Sequence, residues 1–153
     1  MLGKQSFQFT CKPYIISSAS IVGSKEADGP MGKLFDKAGY DDMFGAQNWE
    51  DAESSLQKEA LEIALGKAKL AKDNLQLVFA GDLLGQSIAS SFGLSGYQVP
   101  HVGLYGACST CGLSLAMGGM AVAGAFAQKA ACITSSHFAS AEKEFRFPLA
   151  YGN

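Results

Sequence analysis

The order of apolar and polar positions divides the chain into segments with different periods. Tyr14 to Val22, YIISSASIV, is rich in β-formers and closes at Gly23, which predicts a first buried strand. Gly23 to Asn48 breaks into Gly23, Gly29, Pro30, Gly32, Gly39 and Gly45 among acidic residues. A connection of that length is a functional or interaction segment, or else a solvated insertion. From Trp49 to Lys72 the pattern is helical. Asn48 is placed to cap it, Glu50, Asp51 and Glu53 favour its positive end, and Lys67, Lys69 and Lys72 its negative end. Leu56, Ala60, Ile63, Ala64 and Leu70 fall near one face, so that face is expected to pack and the helix to carry no chemistry of its own.

Beyond this helix, LQLVFAG (Leu75 to Gly81) predicts a short buried strand, and LLGQSIASSFGL a helix that Gly93 helps to end. The alternation then repeats, with VPHVGLYGA as strand, STCGLSLAMGGMAVAGAFAQ as helix and KAACITSSHF as strand. Strands alternating with helices predict βαβ units and a mostly parallel sheet, an α/β fold. The last helix is apolar all round. Burial between layers accounts for that, with Gly118, Gly119 and Gly124 permitting close approach.

Composition narrows the classes. At 153 residues, 48% hydrophobic and 17% charged, the chain has the make-up of one globular domain. A net charge of -2 with both signs interleaved offers no basic stripe, which argues against nucleic acid as a partner. His101 to Gln128 holds no Asp, Glu, Lys or Arg, long enough to raise a membrane span. Pro100 at its edge, the polar GACSTCG block and a run of Gly, Ala and Met make a strand, turn and buried helix the better reading. MLGKQSFQFTCKPY lacks the apolar core of a signal peptide, and the four scattered cysteines read as reduced thiols.

The segment richest in chemistry is Gly106 to Cys111, GACSTC, which should join a strand's carboxyl end to a helix N-terminus. Cys108 would then sit where amide groups and the helix dipole lower a thiol pKa and hold an oxyanion, as a nucleophile requires. The same spacing suits a redox pair or half of a zinc site, although no second clustered pair completes the latter. All four thiols can also be small buried hydrophobes, the favoured reading for Cys11, Cys111 and Cys132.

GACSTCGLSLAMGGMAVAGA resembles the nucleophile segment of the thiolase and ketoacyl synthase superfamily, with Ser114 and Leu115 in register after Cys108. YIISSASIVGSKEADGPMGKLFDK, WEDAESSLQKEA, FAGDLLGQ, LYGACST and TSSHFASAEKEFRFPLAYG resemble the stage V sporulation protein AD family, thiolase-like proteins of endospore formers. That resemblance implies a thiolase-like βαβαβ half-domain over residues 1–153. The second half, source of the His, Asn or second Cys that assist a thiolase nucleophile, lies outside this chain. It further implies a non-enzyme that binds dipicolinic acid or its calcium chelate for uptake into the developing spore. Other proteins of that uptake system would be its partners, at the periphery of the spore inner membrane and with no signal peptide or transmembrane helix. A homo-oligomer is expected, and no cofactor beyond calcium arriving with the ligand.

Dipicolinate is a flat pyridine with two carboxylates, so its site should offer positive charge or N–H donors beside an apolar slot. Cys108 and Ser109 at the helix start are candidates, Cys108 being also the nucleophile equivalent of an alternative acyltransferase. Arg146, the sole arginine, suits a carboxylate as a bidentate fork, or forms a surface ion pair with Glu142 or Glu144. Asp82 follows a strand and is either an oxygen donor to calcium or a helix cap. His137 is a ligand contact, a base for Cys108 or a satisfied loop histidine, while His101 reads as structural.

Overall fold

The computed structural model describes residues 3–83, 87–137 and 139. Near the N-terminus β1 (Ile21–Val22) pairs in parallel with β2 (Lys37–Ala38), with α1 (Ser24–Ala27) and a 3-10 turn (Gly32–Leu34) between them. α2 (Trp49–Ala68) follows, then a 3-10 turn at Lys72–Asn74, β3 (Leu77–Asp82), α3 (Ile88–Leu94) and β4 (His101–Gly103). A 3-10 turn at Ala107–Ser109 leads into α4 (Thr110–Ala123), and the chain returns as β5 (Ala130–Ser135). β3 is central, with β4 on one side and β5 on the other, both parallel to it. Parallel neighbours need crossovers, which α3 and α4 supply. The fold is therefore α/β with a parallel sheet, as the alternation predicts.

The sheet is covered on both faces because the residues of β3 alternate. Val78 and Ala80 meet Leu61 and Leu65 of α2, Leu94 of α3 and Ile133 of β5. Phe79 instead packs with Leu104 and with Ala121 of α4, flanked by Leu113 and Met117. Full burial of each large apolar side chain contributes about 1.5–3 kcal/mol. Gly118 sets how closely α4 approaches, since a Cβ there would lie 2.5 Å from Cys132 Sγ.

Three expectations change. The segment from Tyr14 is strand only at Ile21–Val22, and Tyr14 and Ile15 are 83% and 76% exposed. It is fastened to α2 by side chains: Ser17 Oγ donates to the Ala64 carbonyl at 2.8 Å, and Lys67 Nζ to the Ser18 carbonyl at 2.7 Å. α2 is capped by Asn48, whose side chain accepts from the Asp51 amide, but it ends at Lys69, which takes a left-handed conformation (φ 53°). Its buried stripe is Ala52, Glu53, Gln57, Leu61 and Leu65 rather than the more apolar face, because a polar cluster under the helix takes two of those places. Finally, α4 is not buried all round. The sheet covers one side and Phe9 and Pro13 lie against Gly119, while Leu115 and Met120 are exposed. Among the described residues no helix is long and apolar enough to cross a membrane.

Candidate functional site at the carboxyl edge of the sheet

Parallel strands bring their carboxyl ends to one edge, where α/β proteins bind ligands. Here β3 ends at Asp82, β5 runs out towards His137, and β4 runs out into the Gly106–Thr110 turn. β4 and β5 flank β3, so their ends lie about 10 Å apart across it.

The turn after β4 is held by its own short side chains. Leu104 N extends the ladder to the Ala80 carbonyl at 2.8 Å. Gly106 N donates to Thr110 Oγ1 at 3.1 Å, whose hydroxyl donates to the Ala107 carbonyl at 2.8 Å; Ser109 Oγ donates to the Gly106 carbonyl at 2.6 Å. These bonds hold Ala107 at φ 46°, a left-handed conformation that costs a residue with a Cβ roughly 1–2 kcal/mol. Gly81 lets the turn sit directly over β3, because a Cβ there would lie 2.2 Å from the Leu104 carbonyl. Cys108 is exposed at the centre of the turn, two residues before α4 begins. The Ser109 amide bonds the Gly106 carbonyl, whereas the Ala107 and Cys108 amides make none of the turn's hydrogen bonds. Two N–H groups and the positive end of α4 thus accompany an exposed thiol, an arrangement suited to an anionic oxygen.

Cys111 and Cys11 are exposed too, which corrects their reading as buried hydrophobes; all four thiols are free. Cys132 keeps that reading in part. Its Sγ lies 3.1 Å from the Ser114 carbonyl, and burial pushes its thiol pKa up, with the neighbouring Cys111 adding to the effect.

Asp82 is completely buried, and its carboxylate holds the start of α3. One oxygen accepts from the Ser87 amide at 3.1 Å; the other accepts from the Ser90 amide at 3.0 Å and the Ser90 hydroxyl at 2.8 Å. The capping alternative is the one the geometry fills. His137 is 6% exposed: its Nε2 is 2.6 Å from the Asp42 carbonyl and its ring meets Phe44 edge-on at 6.2 Å. That turn is fixed by Asp41 Oδ1, which accepts from the Met43 and Phe44 amides, and by the Trp49 indole N–H, which donates to Asp42 Oδ2 at 3.2 Å. This is a satisfied loop histidine. Arg146, Glu142 and Glu144 lie outside the described residues. The topology brings Cys108, Asp82 and His137 to one edge of the sheet. Among the described residues no group of three or more His, Cys, Asp or Glu could hold a metal ion.

The sequence reading missed a buried polar chain behind this edge. Ser135 Oγ donates to Glu53 Oε1 at 2.7 Å and accepts from Gln57 Nε2 at 2.7 Å, and the same Nε2 donates to Ser90 Oγ at 3.0 Å. Glu53 is 2% and Gln57 1% exposed. Burial raises the Glu53 carboxyl pKa and Asp82 adds to the rise, against the opposing effects of the Ser135 hydroxyl and of His137. A signal was present: Glu53 and Gln57 stand at four-residue spacing in phase with Leu61 and Leu65.

Comparison with known proteins accords with the resemblance. Residues 3–153 match the family model described as Stage V sporulation protein AD. Over 153 residues the chain is 41% identical to the Stage V sporulation protein AD of Bacillus subtilis (strain 168), covering 99% of this chain and 45% of that protein. The chain therefore spans less than half the length of the curated relative it matches. It belongs to the stage V sporulation protein AD family.

Proposed function

We propose that this chain is the N-terminal, thiolase-like half of a sporulation protein that binds dipicolinic acid or its calcium chelate without catalysis. In this reading it acts with other proteins of the uptake system at the spore inner membrane. Family membership supplies the sporulation context. The observation that carries the ligand reading is the Gly106–Thr110 turn, whose Ala107 and Cys108 amides and helix dipole suit a carboxylate, in a segment (101–128) that contains no Asp, Glu, Lys or Arg. The half-domain reading is supported by the coverage of the relative and by the exposed Leu115 and Met120, which a second half would cover. Asp82 and His137 then serve the site from behind, as supports, and Arg146 remains the candidate cation for the second carboxylate.

A rise in melting temperature that grows with dipicolinate concentration, with and without calcium, is the expected result. Ser109→Pro, which removes the amide that closes the turn, should abolish the rise. A larger shift with acetyl-CoA and a matching mass increase on Cys108 would instead favour the second reading, a Cys108 acyltransferase, which the exposure of that thiol on a strained turn supports.

A further inference from the structure

The polar chain between α2 and the strand ends has one acceptor without a donor. The Ser135 hydroxyl has a single hydrogen and gives it to Glu53, so towards Gln57 it can only accept; the Ser90 hydroxyl likewise gives its hydrogen to Asp82. Gln57 Nε2 faces only acceptors, the Ser135 hydroxyl at 2.7 Å, the Ser90 hydroxyl at 3.0 Å and, more distantly, the Gly81 carbonyl at 3.4 Å, so both of its hydrogens are required. Turning the amide over would set Oε1 against the Gly81 carbonyl, which can only accept, and against the Ser90 hydroxyl, whose hydrogen is committed to Asp82, which fixes its orientation. Gln57 Oε1 is then left buried with no hydrogen-bond partner among the described residues. An unmet acceptor at such a site carries the full cost of its lost hydration.

Glu53 lies one helical turn before Gln57 on the same buried stripe, within side-chain reach. As a carboxylate it has no hydrogen to offer; as a carboxylic acid it has one. We infer that Glu53 is carried as a neutral acid whose proton is donated to Gln57 Oε1, and that this proton fastens the ends of β3 and β5 and the His137–Asp42 contact behind the site. Burial acts in the same direction. The groups that face Glu53 have opposed effects: Asp82 on β3 disfavours a second negative charge, while His137 after β5 favours it through its charge and its backbone amide. Asp82 accepts from three donors and needs no hydrogen of its own. The exchange is a plain proton transfer. Base in the solvent removes the proton, Glu53 becomes a carboxylate, and Gln57 loses its donor.

The consequence is a pH-sensitive latch, and it stands independently of the ligand reading. Because the folded pKa is raised above 4.5, the stability contributed by Glu53 is fully present below that value and is lost as the pH rises through the folded one. Trp49, the chain's one tryptophan, reports on the latch because it bonds the Asp42 side chain while His137 bonds the Asp42 carbonyl.

The test is carbon-13 NMR of the side-chain carboxyls in the intact chain, assigned through bonds so that it does not depend on a variant folding, beside a pH titration of Trp49 fluorescence. One glutamate resonance, that of Glu53, should remain protonated after the exposed carboxyls have titrated. A fluorescence step should occur at the same pH and be absent in Glu53→Gln, which keeps an acceptor for Ser135 and a donor for Gln57. Glu53 titrating together with the exposed glutamates overturns the inference. So does a fluorescence step that survives in Glu53→Gln, since that step belongs to His137 itself.

Discussion

The ends of β3 and β5 and the end of β4 lie on one edge of one sheet, yet they are built in opposite ways. Behind β3 and β5, Glu53, Gln57, Asp82, Ser90 and His137 are buried, and almost every polar atom is engaged by another. After β4, the Gly106–Thr110 turn engages its hydroxyls internally and leaves Cys108 exposed beside two backbone amides that take no part in the turn's hydrogen bonds. Acidic side chains at a strand end do not by themselves make a ligand site. At this edge the carboxylate is structural, and the open chemistry belongs to backbone and thiol.

The contrast can be broken at four places. The largest effect is expected from Asp82→Ala, which strands the Ser87 amide and the Ser90 amide and hydroxyl and should cost about 3 kcal/mol in urea unfolding. Dipicolinate affinity measured on the remaining folded protein should change little; a collapse of affinity with unchanged stability would return Asp82 to the site. Next are two glycines under and beside the turn. Gly81→Ala must push against the Leu104 carbonyl and should destabilise by about 1–3 kcal/mol. Gly112→Ala meets nothing within 4 Å on α4 and should stabilise by up to about 1 kcal/mol. Equal responses in thermal melts would mean that the turn does not rest on β3.

A third comparison uses the thiols. Mild alkylation followed by mass spectrometry should modify Cys108, Cys111 and Cys11 at least roughly tenfold faster than Cys132, whose burial lowers both access and thiolate fraction. Uniform labelling would place Cys132 in the open. The smallest effect concerns the ion pair that fastens the N-terminal segment. The Lys67 ammonium, and after it the Ser20 amide, hold the Asp36 carboxyl below its usual 3.8. Its contribution is present above about 3.8 and is lost as the pH falls through the lowered folded value. Because Asp36 is open to solvent, Lys67→Ala should move the melting curve barely at neutral pH and flatten its acid limb slightly.

How much the sequence revealed follows from what each pattern measures. β-formers closed by Gly81 located β3, the repeated strand–helix alternation located β5, and the small-residue run located α4, since those signals report local preference and burial together. The same signal misled at Tyr14–Ile16, where β-formers lack a paired neighbour and propensity alone builds no sheet. Periodicity failed differently on α2. Counting only apolar positions chose the face through Leu56 and Ile63, whereas the buried face includes Glu53 and Gln57 because the serines at positions 90 and 135 wait there. Those partners are distant in the chain and leave no local trace. The Cys108 turn was readable from GACST, but the exposure of Cys111 was not, since it depends on which side of α4 the sheet covers.

The register of β3 with β5 also bears on how the molecule comes together. Val78 pairs with Ala131 and Phe79 with Cys132, so this ladder cannot close until α3, β4 and α4 have been laid down between them. Loop closure must precede the reward of pairing, and folding of such a chain is governed by long-range contacts rather than by the ready helix α2. Once closed, Val78, Phe79 and Ala80 have strands on both sides. Their amides should be the last in the molecule to exchange with heavy water, and the rate at which they become protected should report the closing step itself.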